Sequence, residues 1–134
     1  MLDFNKNGLF PRLIKVGVID MPKVINDFII DGENIIGSYR CASNSVVFTN
    51  KRIIVINHQG ITVVNSNGVV GKKQDYTSIP YNIIRTFSLE TSGFTDQEAK
   101  LEIYINGIGN IKFCFAQDTD TKEICKSIAQ CTII

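Results

Sequence analysis

Tryptophan is absent, histidine occurs once, and only two methionines and three prolines appear in 134 residues. The single histidine is His58, and none of Cys41, Cys114, Cys125 and Cys131 forms a C-x-x-C pair. A zinc or iron–sulfur framework therefore has no local signature, and the sequence calls for no cofactor or metal. No stretch approaches the roughly 18 consecutive apolar residues of a membrane-spanning helix. An excess of one charge is also missing: 14 Lys and Arg against 13 Asp and Glu leave a net charge of +1. That balance gives no global attraction to nucleic acid or to an anionic membrane surface, so nucleic acid is not an expected partner. Residues Met1 to Lys6 lack the charged start and apolar run of a signal peptide. The expectation is a cytoplasmic chain with reduced, mostly packed thiols.

The chain holds 22 Ile, 10 Val and 9 Thr against 5 Leu, and this β-branched bias favours strands. With 44% hydrophobic and 20% charged residues, the composition is that of one globular domain, expected to span 1–134. Residues 1–19 hold no consistent period. From Asp20 to Gly32 the signals are helical: Asp20 as N-cap, Pro22 in the first turn, and Met21, Val24, Ile25, Phe28 and Ile29 on one stripe. A short N-terminal helix is predicted here, within an extension covering 1–33. Its docking partner is left open, either its own domain or a neighbouring subunit.

From Ile35 to Ala116 the period is two. Strands are predicted at 35–42, 45–49, 52–57, 74–81, 83–91, 100–106 and 111–115. Ile53-Ile54-Val55-Ile56 is continuously apolar, as in a strand buried on both faces. Turns are expected at Ser43-Asn44, at His58-Gln59-Gly60 and at Asn65-Ser66-Asn67-Gly68, the last reading as a hairpin tip. Pro80 marks an edge or a corner. Leu101, Ile103 and Ile105, then Ile111, Phe113 and Phe115, alternate with polar residues and point to a core. A C-terminal helix is predicted over 119–131, with N-cap candidates at Asp118 to Asp120 and Glu123 as the partner of a capping box. Ile124, Cys125, Ile128 and Ala129 form its apolar face.

Seven antiparallel strands in about 80 residues must curl or split into two packed sheets. Residues 46–57, Val-Val-Phe-Thr-Asn-Lys-Arg-Ile-Ile-Val-Ile-Asn, resemble the Phe-Thr-Asn-Lys-Arg signature of bacterial pleckstrin-homology (PH) domains. Gly71-Lys72-Lys73, Tyr76, Ser78-Ile79-Pro80-Tyr81 and Phe87-Ser88-Leu89-Glu90-Thr91 resemble the same pattern. The resemblance covers roughly residues 20–131. It implies a mainly β, PH-like, partly open barrel of seven antiparallel strands over 35–116, in two near-orthogonal sheets capped by the C-terminal helix. It also implies no established enzymatic activity and, for some members, ring-like homo-oligomers. Ile61 to Val70 look inserted relative to that pattern.

A catalytic role for His58 finds no support, since a Gly-flanked turn offers no supporting shell. Asp118 and Asp120 read as helix caps, and Gly107 and Gly109 as hairpin residues. The expected function is a non-enzymatic interaction module that self-associates or binds another protein. Val63, Val64, Val69 and Val70 around the hairpin tip, and Val24 and Phe28 of the N-terminal helix, are its candidate contacts. Tyr39, Cys41 and Tyr104 are weaker candidates, with packing under the helices as the alternative. The other reading is a peripheral binder of anionic phospholipid head groups, with Arg40, Lys72 and Lys73 approaching one another at the open end of the barrel. Lys51 and Arg52 belong to the opposite end.

Overall fold

A computed structural model of the chain describes residues 8–17, 23–42, 44–65, 68–91, 98–116 and 120–132, with the backbone alone at 23–24, 58–65 and 68–73. In these residues there are eight strands: β1 (Leu9–Lys15), β2 (Ile35–Cys41), β3 (Asn44–Thr49), β4 (Arg52–Asn65), β5 (Gly68–Pro80), β6 (Ile84–Glu90), β7 (Ala99–Ile105) and β8 (Gly109–Phe115). One α-helix follows, α1 (Thr121–Thr132), and short 3-10 turns occupy Lys23–Asp27 and Tyr81–Ile83. The strands form one curled sheet in the order β5-β4-β3-β2-β1-β8-β7-β6. All neighbours are antiparallel except β1 and β8, which run parallel.

The alternation read from the sequence sets the core. Leu101, Ile103, Ile105, Ile111, Phe113 and Phe115 are all buried in the concave side of the sheet. Phe48 lies at their centre, edge-on to Phe113 with ring centroids 5.3 Å apart. Helix α1 closes this core with Ile124 and Ile128, packing over the Tyr81–Ile83 turn, β6 and β3. Pro80 ends the edge strand β5 and starts that turn, so it stands at the corner between β5 and β6.

Strand β4 is buried on both faces. Ile53 and Val55 belong to the main core, while Ile54 and Ile56 join Ile25 and Val47 in a second cluster on the outer face. Ile25, Ile29 and Ile35 cover that outer face, which answers the docking question: the N-terminal segment packs on its own domain.

Three expectations need correction. The predicted N-terminal α-helix is only the five-residue 3-10 turn Lys23–Asp27. The Phe28 N–H bonds the Ile25 carbonyl at 3.0 Å, three residues back. The Phe28 carbonyl is taken by the Arg52 guanidinium rather than by a following turn of helix, and β-branched Ile25, Ile29 and Ile30 favour that outcome. Residues 9–15, left unassigned by periodicity, form β1, an eighth strand. Its pairing with β8 shifts register between Phe10 and Leu13, so its two buried side chains fall three apart rather than two. His58-Gln59-Gly60 is not a turn. The chain continues as β4, and a register shift between His58 and Thr62 absorbs the extra residues as a bulge.

Asp120 does precede the first helical residue, and its carbonyl accepts the Ile124 N–H at 2.9 Å. Its carboxylate bonds the Lys15 ammonium and, at 3.5 Å, the Tyr39 hydroxyl. Asp118 and the hairpin tip Ser66-Asn67 lie outside the described residues, as does Ser43 of the first turn.

Candidate functional site

The Phe-Thr-Asn-Lys-Arg stretch builds a clamp. Phe48 enters the core, and the next four residues turn the chain from β3 into β4. The Thr49 hydroxyl accepts the N–H groups of Lys51 (3.1 Å) and Arg52 (3.0 Å), which closes the turn. The same hydroxyl donates to Glu33 Oε2 at 2.7 Å. Arg52 lays its fork on the same carboxylate, with Nε 2.9 Å from Oε2 and Nη2 3.0 Å from Oε1. The Ile30 N–H supplies a further bond to Oε1 at 3.1 Å.

Asn50 ties down the rest of the segment. Its side-chain amide donates to the Gly32 carbonyl and its Oδ1 accepts the Asn34 N–H. Glu33, Thr49 and Arg52 thus satisfy one another, and the Glu33 side chain is fully buried. Burial alone raises its pKa, but the bonds from Arg52, Thr49 and the Ile30 N–H outweigh burial and hold the carboxyl below the ordinary range. A carboxylate saturated in this way holds the fold; it is not poised for proton transfer.

Two other buried titratable groups, Tyr81 and Cys114, are pushed toward their neutral forms. The Tyr81 hydroxyl donates to the Thr49 carbonyl at 2.6 Å, and burial pushes its pKa well up. Burial likewise pushes the Cys114 thiol up, with Glu98 adding to the effect. All four cysteines are free thiols, with Cys114 buried and the others half-buried. Among the described residues no three His, Cys, Asp or Glu side chains gather where a metal ion would sit.

Two surface features bear on the residues singled out by sequence. The first is a groove of about 460 Å³ on β1 and β2, lined by Pro11, Arg12, Ile14 and Val16 from one side and by Arg40 to Ala42 from the other. Its lining is mainly apolar, and its charged residues are both arginines. The second is an arm. Pairing of β3 with β4 ends at Ser45↔Ile56, whereas β4 and β5 stay paired out to Asn65↔Gly68. Beyond Ile56 the sheet is two strands wide for nine residues of β4, roughly 25–30 Å at strand rise.

These features locate the residues singled out by sequence. Arg40 lies in a row across the sheet, Arg40↔Ser45↔Ile56↔Tyr76, and lines the groove. Lys72 pairs with Thr62 on the arm, three strands away from β2 and four residues beyond Tyr76. The register therefore sets Arg40 on the order of 15–20 Å of sheet from Lys72 and Lys73. Val63, Val64 and Val69 are paired arm positions, and Val70 sits at its second register shift. Val24 belongs to the 3-10 turn beside Ile25. The Phe28 ring lies tilted against Tyr76 of the same chain, centroids 4.8 Å apart, and Phe28 stays 39% exposed. Tyr39 is core, whereas Tyr104 is 41% exposed. Arg12 drew no notice in the sequence because β1 has no clean period. The one signal in the chain is a basic residue between two apolar ones, Phe10 and Leu13.

The fold and sequence have known counterparts. The family profile described as Bacterial PH domain matches residues 6–132. The chain is 30% identical over 125 residues to "Uncharacterized protein YjqA" of Bacillus subtilis (strain 168), covering 92% of this chain and 94% of that protein. Among solved structures, a DUF1696 family protein with a pleckstrin-homology domain from Shewanella loihica PV-4 matches with a TM-score of 0.65 at 31% identity. The match spans 91% of this chain and 98% of that one. A pleckstrin homology domain from Shewanella amazonensis SB2B matches with a TM-score of 0.53, also at 31% identity, over 89% of this chain and 93% of that one. With the profile running through β1, the clamp and α1 alike, this chain belongs to the bacterial PH domain family.

Proposed function

We propose that the chain is a non-enzymatic interaction module that self-associates, with the β4–β5 arm as its contact. The observation that carries this reading is the width of the arm. A two-stranded ribbon is marginal in water by itself, because stable sheets need a third strand or a packed face. This ribbon runs past the end of β3 and carries Val63, Val64, Val69 and Val70. A second copy would supply the third strand or packed face that such a ribbon needs. The non-enzymatic part rests on the clamp and on family membership. Glu33, Thr49 and Tyr81 are buried, and they and Arg52 are committed to one another, to backbone or to Ser78.

The test is solution mass by light scattering after size exclusion, at two protein concentrations. The intact chain is expected at several times 14.9 kDa, with little change on dilution. Deleting residues 61–70 joins Gly60 to Gly71, a pair that suits a tight turn, and should bring the mass down to one chain. An unchanged mass after deletion removes the arm as the contact. A monomer at both concentrations removes self-association itself.

A further inference from the structure

We infer that the free edge of β6 takes up an extended peptide as a further strand, with apolar side chains at alternate positions and an acidic C-terminal end. The arm belongs to the opposite edge of the sheet, so this inference does not rest on self-association.

Two observations meet at β6. The first is its place in the sheet: it is the last strand and pairs with β7 alone. In an antiparallel pair, successive residues turn their N–H and C=O groups toward the partner and then away from it. Alternate backbone groups over 85–90 therefore point away from β7, and among the described residues no other backbone group bonds them. A peptide strand presents N–H and C=O groups at the same repeat, which is how an exposed edge is extended.

The second observation is the core beside that edge. Leu89 pairs with Leu101, and Phe87 with Ile103. Leu101 and Ile103 are 1% and 0% exposed, whereas Phe87 and Leu89 are only half-buried although they pack on the same core. Helix α1 packs against β6 without closing over them. At the other edge of the sheet, Ile79 of β5 is buried in this core. Side chains directly opposite on paired strands cover one another, and Phe87 and Leu89 have such cover on the β7 side only. A strand laid along β6 would supply it on the other side, with its own alternate residues polar like Thr86 and Ser88, which are exposed.

Charge sets the direction. Arg85 is exposed at the start of the edge, the extra residue at the register shift between Ile84 and Thr86. Glu90, at the far end, faces Lys100 across the pair. A peptide running antiparallel to β6 ends near Arg85, so an acidic residue belongs at its C-terminal end. Other occupants fit less well. An acyl chain or a ring would cover Phe87 and Leu89 but leave the edge N–H and C=O groups unmet.

The probe is a peptide selected on the full chain from a displayed library of random dodecapeptides, then made synthetically. The selected set is expected to alternate apolar and polar residues ahead of an acidic end. Binding is read by fluorescence anisotropy. Replacing the peptide residues one at a time by their N-methyl forms should raise the Kd by about tenfold at every second position and little between, the loss of one hydrogen bond each time. Amide exchange followed by NMR should slow at alternate residues of 85–90. Leu89→Ala should raise the Kd by about fivefold. Arg85→Gln should weaken the acidic-ended peptide but not its glutamine-ended counterpart. Lys112→Gln, an exposed cation on β8, should change nothing. Unchanged near-UV circular dichroism will establish that each variant is folded, and the N-methyl series needs no variant at all. No enriched peptide, an N-methyl pattern without a period of two, or a Kd indifferent to Leu89→Ala overturns the inference. An acidic end that Arg85→Gln does not affect overturns the charge assignment. The solution mass should rise by no more than the bound peptide; a mass that falls as the peptide saturates overturns the inference in favour of a second copy of the chain on β6.

Discussion

Arg52 takes both side-chain oxygens of Glu33, with Nε 2.9 Å from Oε2 and Nη2 3.0 Å from Oε1, across 19 residues of sequence. The same guanidinium reaches the Phe28 carbonyl and the Ser78 hydroxyl. One side chain therefore joins the N-terminal segment, the β3–β4 turn and β5. Arg52→Ala leaves the Glu33 carboxylate buried without its cation, which costs on the order of 3 kcal/mol. Arg52→Lys recovers only part of this, because an ammonium has no fork. Urea unfolding of the two variants, compared at their midpoints, tests both statements.

The same carboxylate makes stability depend on pH. The folded pKa of Glu33 lies below its unfolded value. Its contribution is therefore full above the unfolded carboxylate pKa of about 4.3, and is lost as pH falls from there through the folded pKa. Unfolding midpoints measured between neutral and strongly acidic pH should fall more steeply for the natural chain than for Glu33→Gln. Parallel curves for the two would place the acid sensitivity elsewhere.

Tyr81 gives the opposite limb. Its buried hydroxyl donates to the Thr49 carbonyl at 2.6 Å, and burial raises its folded pKa above the unfolded value. The stabilisation is present below the unfolded tyrosine pKa of about 10 and declines as pH rises above it. Tyr81→Phe leaves the Thr49 carbonyl without its donor, at a cost of about 1–3 kcal/mol near neutral pH. It should also flatten the alkaline decline, which thermal melts at neutral and alkaline pH will show.

Gly37 is fixed by space, not by backbone angle. A Cβ placed there would stand 2.9 Å from the Tyr39 ring, and Tyr39 is only 1% exposed, held among Phe48 and Phe115. The ring has no room to withdraw. Gly37→Ala is expected to destabilise by about 1–3 kcal/mol as an overpacked core. A midpoint equal to that of the natural chain in denaturant would mean that β2 shifts at its register irregularity between Ile35 and Gly37 to absorb the methyl.

Alternation made the second half of the fold legible in advance. Leu101-Ile103-Ile105 and Ile111-Phe113-Phe115 carry their burial in their spacing. Ile53 to Ile56 announced a strand covered on both sides, and Ile25 and Ile29 are the cover. The clamp was not legible, because Glu33 and Arg52 each read as an ordinary surface charge until the turn brings them together. Strand β1 was hidden for a related reason: its hydrogen bonds go to two strands far along the chain, and its register shift breaks the period that would mark it. The groove inherited that blindness through Arg12. The arm was half legible, since the Asn-Gly tip and the valines were visible but the bulge at residues 58–62 resembled a turn.

Strand β1 is a keystone, parallel to β8 on one side and antiparallel to β2 on the other. Taking it out would leave a slot of about two strand spacings, roughly 10 Å, flanked by two rows of unpaired backbone groups. Such a slot accepts a strand from any chain that presents one in the right register. A chain starting at residue 16 should therefore be rescued by a synthetic peptide of residues 8–17 added in trans, with the strand order dictating that the peptide lie parallel to β8. The fold would then be a two-piece assembly whose halves find each other through main-chain hydrogen bonds and the Phe10–Phe113 stack.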